Sequence, residues 1–114
     1  MERWFLTVES NCCDPSREKD FSDWYNNIHL PDILEIPRFM HAAFYENTNT
    51  SEGQSKFLAI YEIETDDLAG TMTKFEEVVN ARGKQGRMSD LGVAVGGGLY
   101  RQAGAPAKKK RKKK

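Results

Sequence analysis

The spacing of apolar positions predicts six elements. Residues 3 to 10, RWFLTVES, alternate Trp4, Leu6 and Val8 against Phe5, Thr7 and Glu9, the period of a strand. Asp14-Pro15 then supplies a helix N-cap followed by proline at the first helical position, where its missing N–H has no partner to lose. Phe21, Trp24, Tyr25 and Ile28 recur at i, i+3, i+4 and i+7, the apolar stripe of an amphipathic helix. Pro31 disfavours helical geometry at Leu30, so this helix is expected to end near His29, with a short turn, PDILE, before Pro37.

Two more strands are predicted at 38 to 46, RFMHAAFYE, and 56 to 64, KFLAIYEIE, joined as a hairpin by the polar loop NTNTSEGQS. A second helix follows, capped by Asp66 or Thr65, with Leu68, Met72, Phe75 and Val79 as its buried stripe and Gly83 at its stop. After the loop GKQGRMSD a last strand is expected at about 91 to 101. The order βαββαβ is the ferredoxin-like α+β arrangement, a four-stranded antiparallel sheet with both helices on one face.

That arrangement leaves a sheet face uncovered. The middle strands are apolar on both sides: Phe39, Ala43 and Tyr45 alternate with Met40, Ala42 and Phe44, and Phe57, Ala59, Tyr61 and Ile63 alternate with Leu58 and Ile60. A bare apolar face implies a partner, and a second copy is the economical one. A homodimer with the two sheets face to face is therefore expected.

Composition divides the 114 residues unequally. Seven of the 17 basic residues are the last seven positions, KKKRKKK, leaving ten against 17 acidic ones, so residues 1 to 107 carry a net charge of −7. Such a body repels nucleic acid. Residues 1–103 are expected to form the domain, and 104–114 a flexible linker and basic tail, through which alone nucleic acid or an import receptor is expected to bind. A solvated or extraneous tail is the plainer reading of that block. The chain has no apolar run long enough for a bilayer and no signal-peptide layout in MERWFLTVES, which makes a cytoplasmic location the expectation. The adjacent Cys12 and Cys13 cannot staple a fold and lack zinc-site spacing, so reduced thiols are expected.

His29 is the candidate for chemistry. At about 100° per residue it lies roughly 80° from the centre of the apolar stripe, beside Tyr25 and Asn26. A half-buried imidazole with a pKa near neutrality serves as acid or base. The competing reading is a helix C-terminal cap. By strand alternation His41 shares a face with Phe39 and Ala43, which would let both histidines line one cavity, but two histidines without a placed carboxylate do not make a metal site. Tyr25, Tyr45, Tyr61 and Tyr100 are candidates to orient a phenol or carbonyl group, with core or interface packing as the alternative.

The segment FSDWYNNIHLPDILEIPRFMHAAFYE resembles the signature region of the dimeric α+β barrel superfamily, especially its EthD-like branch. The positions carrying the resemblance are Trp24 and Tyr25, His29 with Pro31, Pro37 with Phe39, and Tyr45, and the arrangement covers residues 3 to about 101. It implies a small dimer with a pocket between sheet and helices in each subunit. Relatives include lactone isomerases, cyclases and decarboxylases of aromatic or polyketide-like compounds, haem-degrading monooxygenases, and members without a role. In the cofactor-independent branch a histidine commonly serves as acid or base. The haem-degrading pattern does not map residue by residue onto this chain, so neither cofactor nor metal is expected. The expected function is a cofactor-independent isomerase, cyclase or decarboxylase-like enzyme for a small hydrophobic carbonyl or phenolic compound, with His29 moving the proton and Tyr25, Asn26, His41, Tyr45 and Tyr61 binding substrate. The alternative is a non-catalytic ligand-binding or interaction dimer.

Overall fold

The alternating segments form one antiparallel sheet in a computed structural model that describes residues 1–110. Strand β1 spans Glu2–Cys12, β2 Phe39–Glu46, β3 Phe57–Thr65 and β4 Gly92–Arg101, in the spatial order β2-β3-β1-β4. Helices α1 (Glu18–Trp24) and α2 (Leu30–Ile33) connect β1 to β2, and α3 (Leu68–Lys84) connects β3 to β4. This is the ferredoxin-like βαββαβ topology. None of the helices among the described residues is long and apolar enough to cross a membrane.

The core lies between the helices and one sheet face. β3 shows the strictest alternation: Phe57, Ala59, Tyr61, Ile63 and Thr65 are all buried, and their neighbours are half-exposed. Phe21, Tyr25 and Ile33 descend on them from the first helical segment, and Tyr61, Phe21, Ile33 and Ile63 are the largest fully buried side chains. Each such residue contributes about 1.5–3 kcal/mol of burial free energy. The α3 stripe is only half-buried, including Met72, Phe75 and Val79.

Three local expectations are corrected. First, the helix does not end near His29. A five-residue π turn, Tyr25–His29, carries it into α2, with the Leu30 N–H bonded to the Tyr25 carbonyl five residues back. In a regular helix the Pro31 ring would press on the carbonyl four residues earlier. The wider turn relieves that contact, and the chain stays helical through Ile33.

Second, β2 does not alternate evenly. Phe39 pairs with Ile63 but His41 pairs with Glu62, so Met40 is the extra residue of a β-bulge. Phe39 therefore shares the inner face with Ala42 and Phe44, whereas His41, Ala43 and Tyr45 face outward. Third, α3 is capped by Asp67, whose Oδ1 accepts from the Gly70 N–H at 3.0 Å, rather than by Asp66 or Thr65. Its stop uses Gly86, at φ 71°, rather than Gly83.

The outer sheet face is bare in the protomer. Phe5, Tyr45 and Tyr100 are 45%, 51% and 61% exposed, large values for aromatic residues in a sheet. Arg3, ion-paired to Glu62 at 3.1 Å and Glu64 at 2.7 Å, borders this apolar area. On β4 a bulge at Val95 shifts the register with β1 between Glu9 and Ser10. Beyond it Gly97, at φ 146°, lies so close to β1 that a side chain would strike the Thr7 carbonyl. The expected tail falls partly on residues 111–114, outside the described residues. Lys108–Lys110 are exposed and carry no secondary structure.

Candidate active site

The π turn sets the site. Five residues apart on an α-helix, two side chains point about 140° away from each other. Across the wider turn the Trp24 indole and the His29 imidazole stack instead, with centroids 4.7 Å apart and planes 20° from parallel. Tyr25 meets the same imidazole edge-on at 5.1 Å. His29 is buried, 7% exposed.

These rings form one wall of a cavity of about 300 Å³ between the helices and the sheet. β1 contributes Val8 and Ser10, β3 Tyr61, and α3 Phe75 and Val79; Met88 and Ser89 close it on the loop before β4. The small residues Gly92 and Ala94 leave room on the β4 side, and a side chain at 92 would meet the Phe21 ring at 2.8 Å. No lysine, arginine, aspartate or glutamate lines this cavity among the described residues.

Burial governs the polar groups here. It lowers the His29 pKa from 6.5 to about 4, and the Asp32 carboxylate nearby opposes the shift only in part. The imidazole is thus neutral at pH 7, not poised near neutrality as its helix-edge position suggests. Burial also raises the phenols of Tyr25 and Tyr61, Tyr61 far more, so both stay protonated donors. The Ser10 hydroxyl is buried and makes no hydrogen bond to any described residue.

The loop at the cavity mouth is tied to the histidine's surroundings. Arg87 grips Asp32 with two hydrogen bonds, 2.7 and 2.8 Å, and its carbonyl accepts from the Trp24 indole N–H at 2.8 Å. The paired guanidinium holds the Asp32 pKa below its usual value. Arg82 adds a second cation 3.7 Å from Asp32 and pairs with Glu35 at 2.7 Å. Arg87 thus ties the loop, and Arg82 the end of α3, to the α2 region.

Of the residues singled out from sequence, the structure brings Tyr25, His29 and Tyr61 to one cavity. Asn26 points away, its amide donating to the Ser22 carbonyl at 3.0 Å within the helix. His41 and Tyr45 lie across the sheet from His29, in a shallow outer depression with Phe5 and Ile60. The Met40 bulge is the reason, since it turns every later β2 side chain to the other face. Sequence reasoning missed Ser10, although the inward register Trp4, Leu6, Val8, Ser10 shows a polar residue in an apolar series.

A βαββαβ sheet with a bare outer face and a histidine-walled inner cavity is a ferredoxin-like α+β fold. Residues 6–85 match the family described as a domain of unknown function, DUF4286, and the chain belongs to that family. No curated protein matches the sequence. Among solved structures the fold is similar to HapK from Hahella chejuensis, at 12% identity and TM-score 0.65, covering 94% of this chain and 99% of that one. It is also similar to a monooxygenase from Streptomyces coelicolor in complex with nanaomycin D, at 15% identity and TM-score 0.55, covering 92% of both chains. An EthD family protein from Bacillus halodurans C-125 shares the fold at 16% identity and TM-score 0.52, covering 87% of this chain and 96% of that one.

Proposed function

We propose that this protein is a small acid–base enzyme that takes an uncharged aromatic carbonyl or phenolic compound into the inner cavity and uses His29 to move a proton. The observation that carries this reading is the neutral His29 imidazole, stacked on Trp24 in the wall of a largely apolar cavity beside two protonated tyrosines. A neutral imidazole accepts a proton from carbon next to a carbonyl. Tyr25 and Tyr61 stay protonated, and the Tyr25 hydroxyl, which accepts from Tyr61, is suited to stabilise the oxygen anion that develops as the proton leaves. That anion would in turn raise the proton affinity of His29, offsetting the desolvation that lowers it in the empty site. Isomerisation or cyclisation through an enolate fits best. A carboxylate-bearing substrate, as a decarboxylase requires, would be buried with no lysine or arginine lining the cavity among the described residues.

The nanaomycin D bound to the Streptomyces coelicolor monooxygenase supports a small-molecule ligand on this fold, and the apolar outer face supports assembly as a homodimer through the sheet. We place the folded unit at residues 1–103, with the basic segment outside it. One observation favours a second reading: an imidazole whose pKa is about 4 is a weak base, which suits ligand binding without turnover. Proton exchange separates the two. A bicyclic aromatic ketone such as tetralone, incubated in heavy water, should exchange its α-protons on the order of a hundredfold faster with the wild-type protein than with His29→Gln. Equal rates despite binding would leave only the ligand-binding reading.

A further inference from the structure

We propose that Ser10 is a second anchor for the ligand, so that the compound bound in the cavity is an uncharged aromatic carrying two separated oxygen functions. This deepens the reading of the cavity given above and rests on it. Ser10 is 4% exposed, and its hydroxyl has no partner among the described residues. A buried hydroxyl without a hydrogen bond is costly to the folded state, and because Ser10 lines the cavity, a turn about its Cα–Cβ bond brings the hydroxyl to a partner that enters. The β4 bulge at Val95 sets this arrangement: Glu9 pairs with Gly96 but Ser10 with Ala94, so only small β4 side chains stand beside the hydroxyl.

The cavity therefore presents polar atoms on two walls. Ser10 and Tyr61 lie on the sheet wall, His29 and Tyr25 on the helix wall; Tyr61 interacts with Tyr25, which leaves Ser10 as the sheet-wall group without a partner. A ligand with one oxygen satisfies one wall and leaves the other wanting. A ligand with oxygens at both ends satisfies both, and with no lysine or arginine lining the cavity among the described residues a carboxylate would be disfavoured.

Three probes test this on the full chain by quenching of tryptophan fluorescence: a naphthol, a dihydroxynaphthalene with its hydroxyls on opposite rings, and naphthoic acid. The wild-type protein should bind the dihydroxy compound about tenfold more tightly than the naphthol, and the acid more weakly than either. Ser10→Ala should abolish the tenfold difference by weakening the dihydroxy compound, and Ser10→Thr should keep it. Ser10→Ala should also raise the melting temperature of the empty protein, because it removes an unsatisfied buried group; a serine held by an internal structural bond would lower it. If both neutral probes bind and their ratio survives in Ser10→Ala, the role of Ser10 is overturned and the cavity reading stands. If neither neutral probe binds the wild-type protein, the cavity reading falls and this proposal with it.

Discussion

The indole of Trp24 lies flat against the imidazole of His29 while its N–H donates to the carbonyl of Arg87, so one side chain joins the candidate base to the loop at the cavity mouth. Trp24→Phe keeps an aromatic wall but removes that hydrogen bond. It is expected to lower stability by about 1 kcal/mol in urea denaturation and to loosen the loop, measured as faster amide exchange at residues 87–89.

The buried imidazole makes stability depend on pH in a defined direction. The folded pKa of His29, about 4, lies below its unfolded value of 6.5, so between these values the unfolded chain binds more protons and stability rises with pH. Going down through that window the protein loses on the order of 3 kcal/mol from this group. His29→Gln should flatten the slope between those pH values, read from urea midpoints across the range.

Asp32 and Arg87 contribute unequally. The Asp32 side chain is 9% exposed and Arg87 44%, so removing the arginine strands a buried carboxylate, while removing the carboxylate returns the arginine to water. Arg87→Met should destabilise the protein at pH 7, by less than a fully orphaned charge would because Arg82 remains near. Asp32→Asn should cost less. The carboxylate's pKa is depressed in the folded state, so the loss in Arg87→Met should shrink as pH falls through the range where Asp32 protonates.

The outer face gives a separate expectation. Phe5 is exposed at the middle of the sheet, opposite Glu62 on one neighbour and Tyr100 on the other. Phe5→Asp would bury a charge in any sheet-to-sheet dimer. Sedimentation should show dimer for the wild-type protein and monomer for the variant, with the circular dichroism of the fold unchanged.

The sequence was most readable where one period held without interruption. β3 alternates for nine residues and appears as such, and the α1 stripe places Phe21 and Tyr25 in the core. It was least readable where a single residue breaks the period. Met40 adds one residue to β2 and so sends His41 and Tyr45 to the far face, and nothing in RFMHAAFYE marks it. Pro31 signals a disturbance, but whether the chain stops or widens into a π turn depends on the packing of Leu30, Asp32 and Ile33 around it, all three buried. The unpaired state of Ser10 and the grip of Arg87 on Asp32, 55 positions apart, exist only once the third dimension is formed.

The central claim, that His29 is a neutral imidazole inside a ligand cavity, is tested most directly by NMR titration of its ring resonances, assigned with His29→Gln, in the free protein and with a saturating naphthol. A pKa of about 4 is expected in the free protein, raised when the phenol is bound. A titration near the ordinary histidine value of 6.5 that ignores the ligand would contradict it.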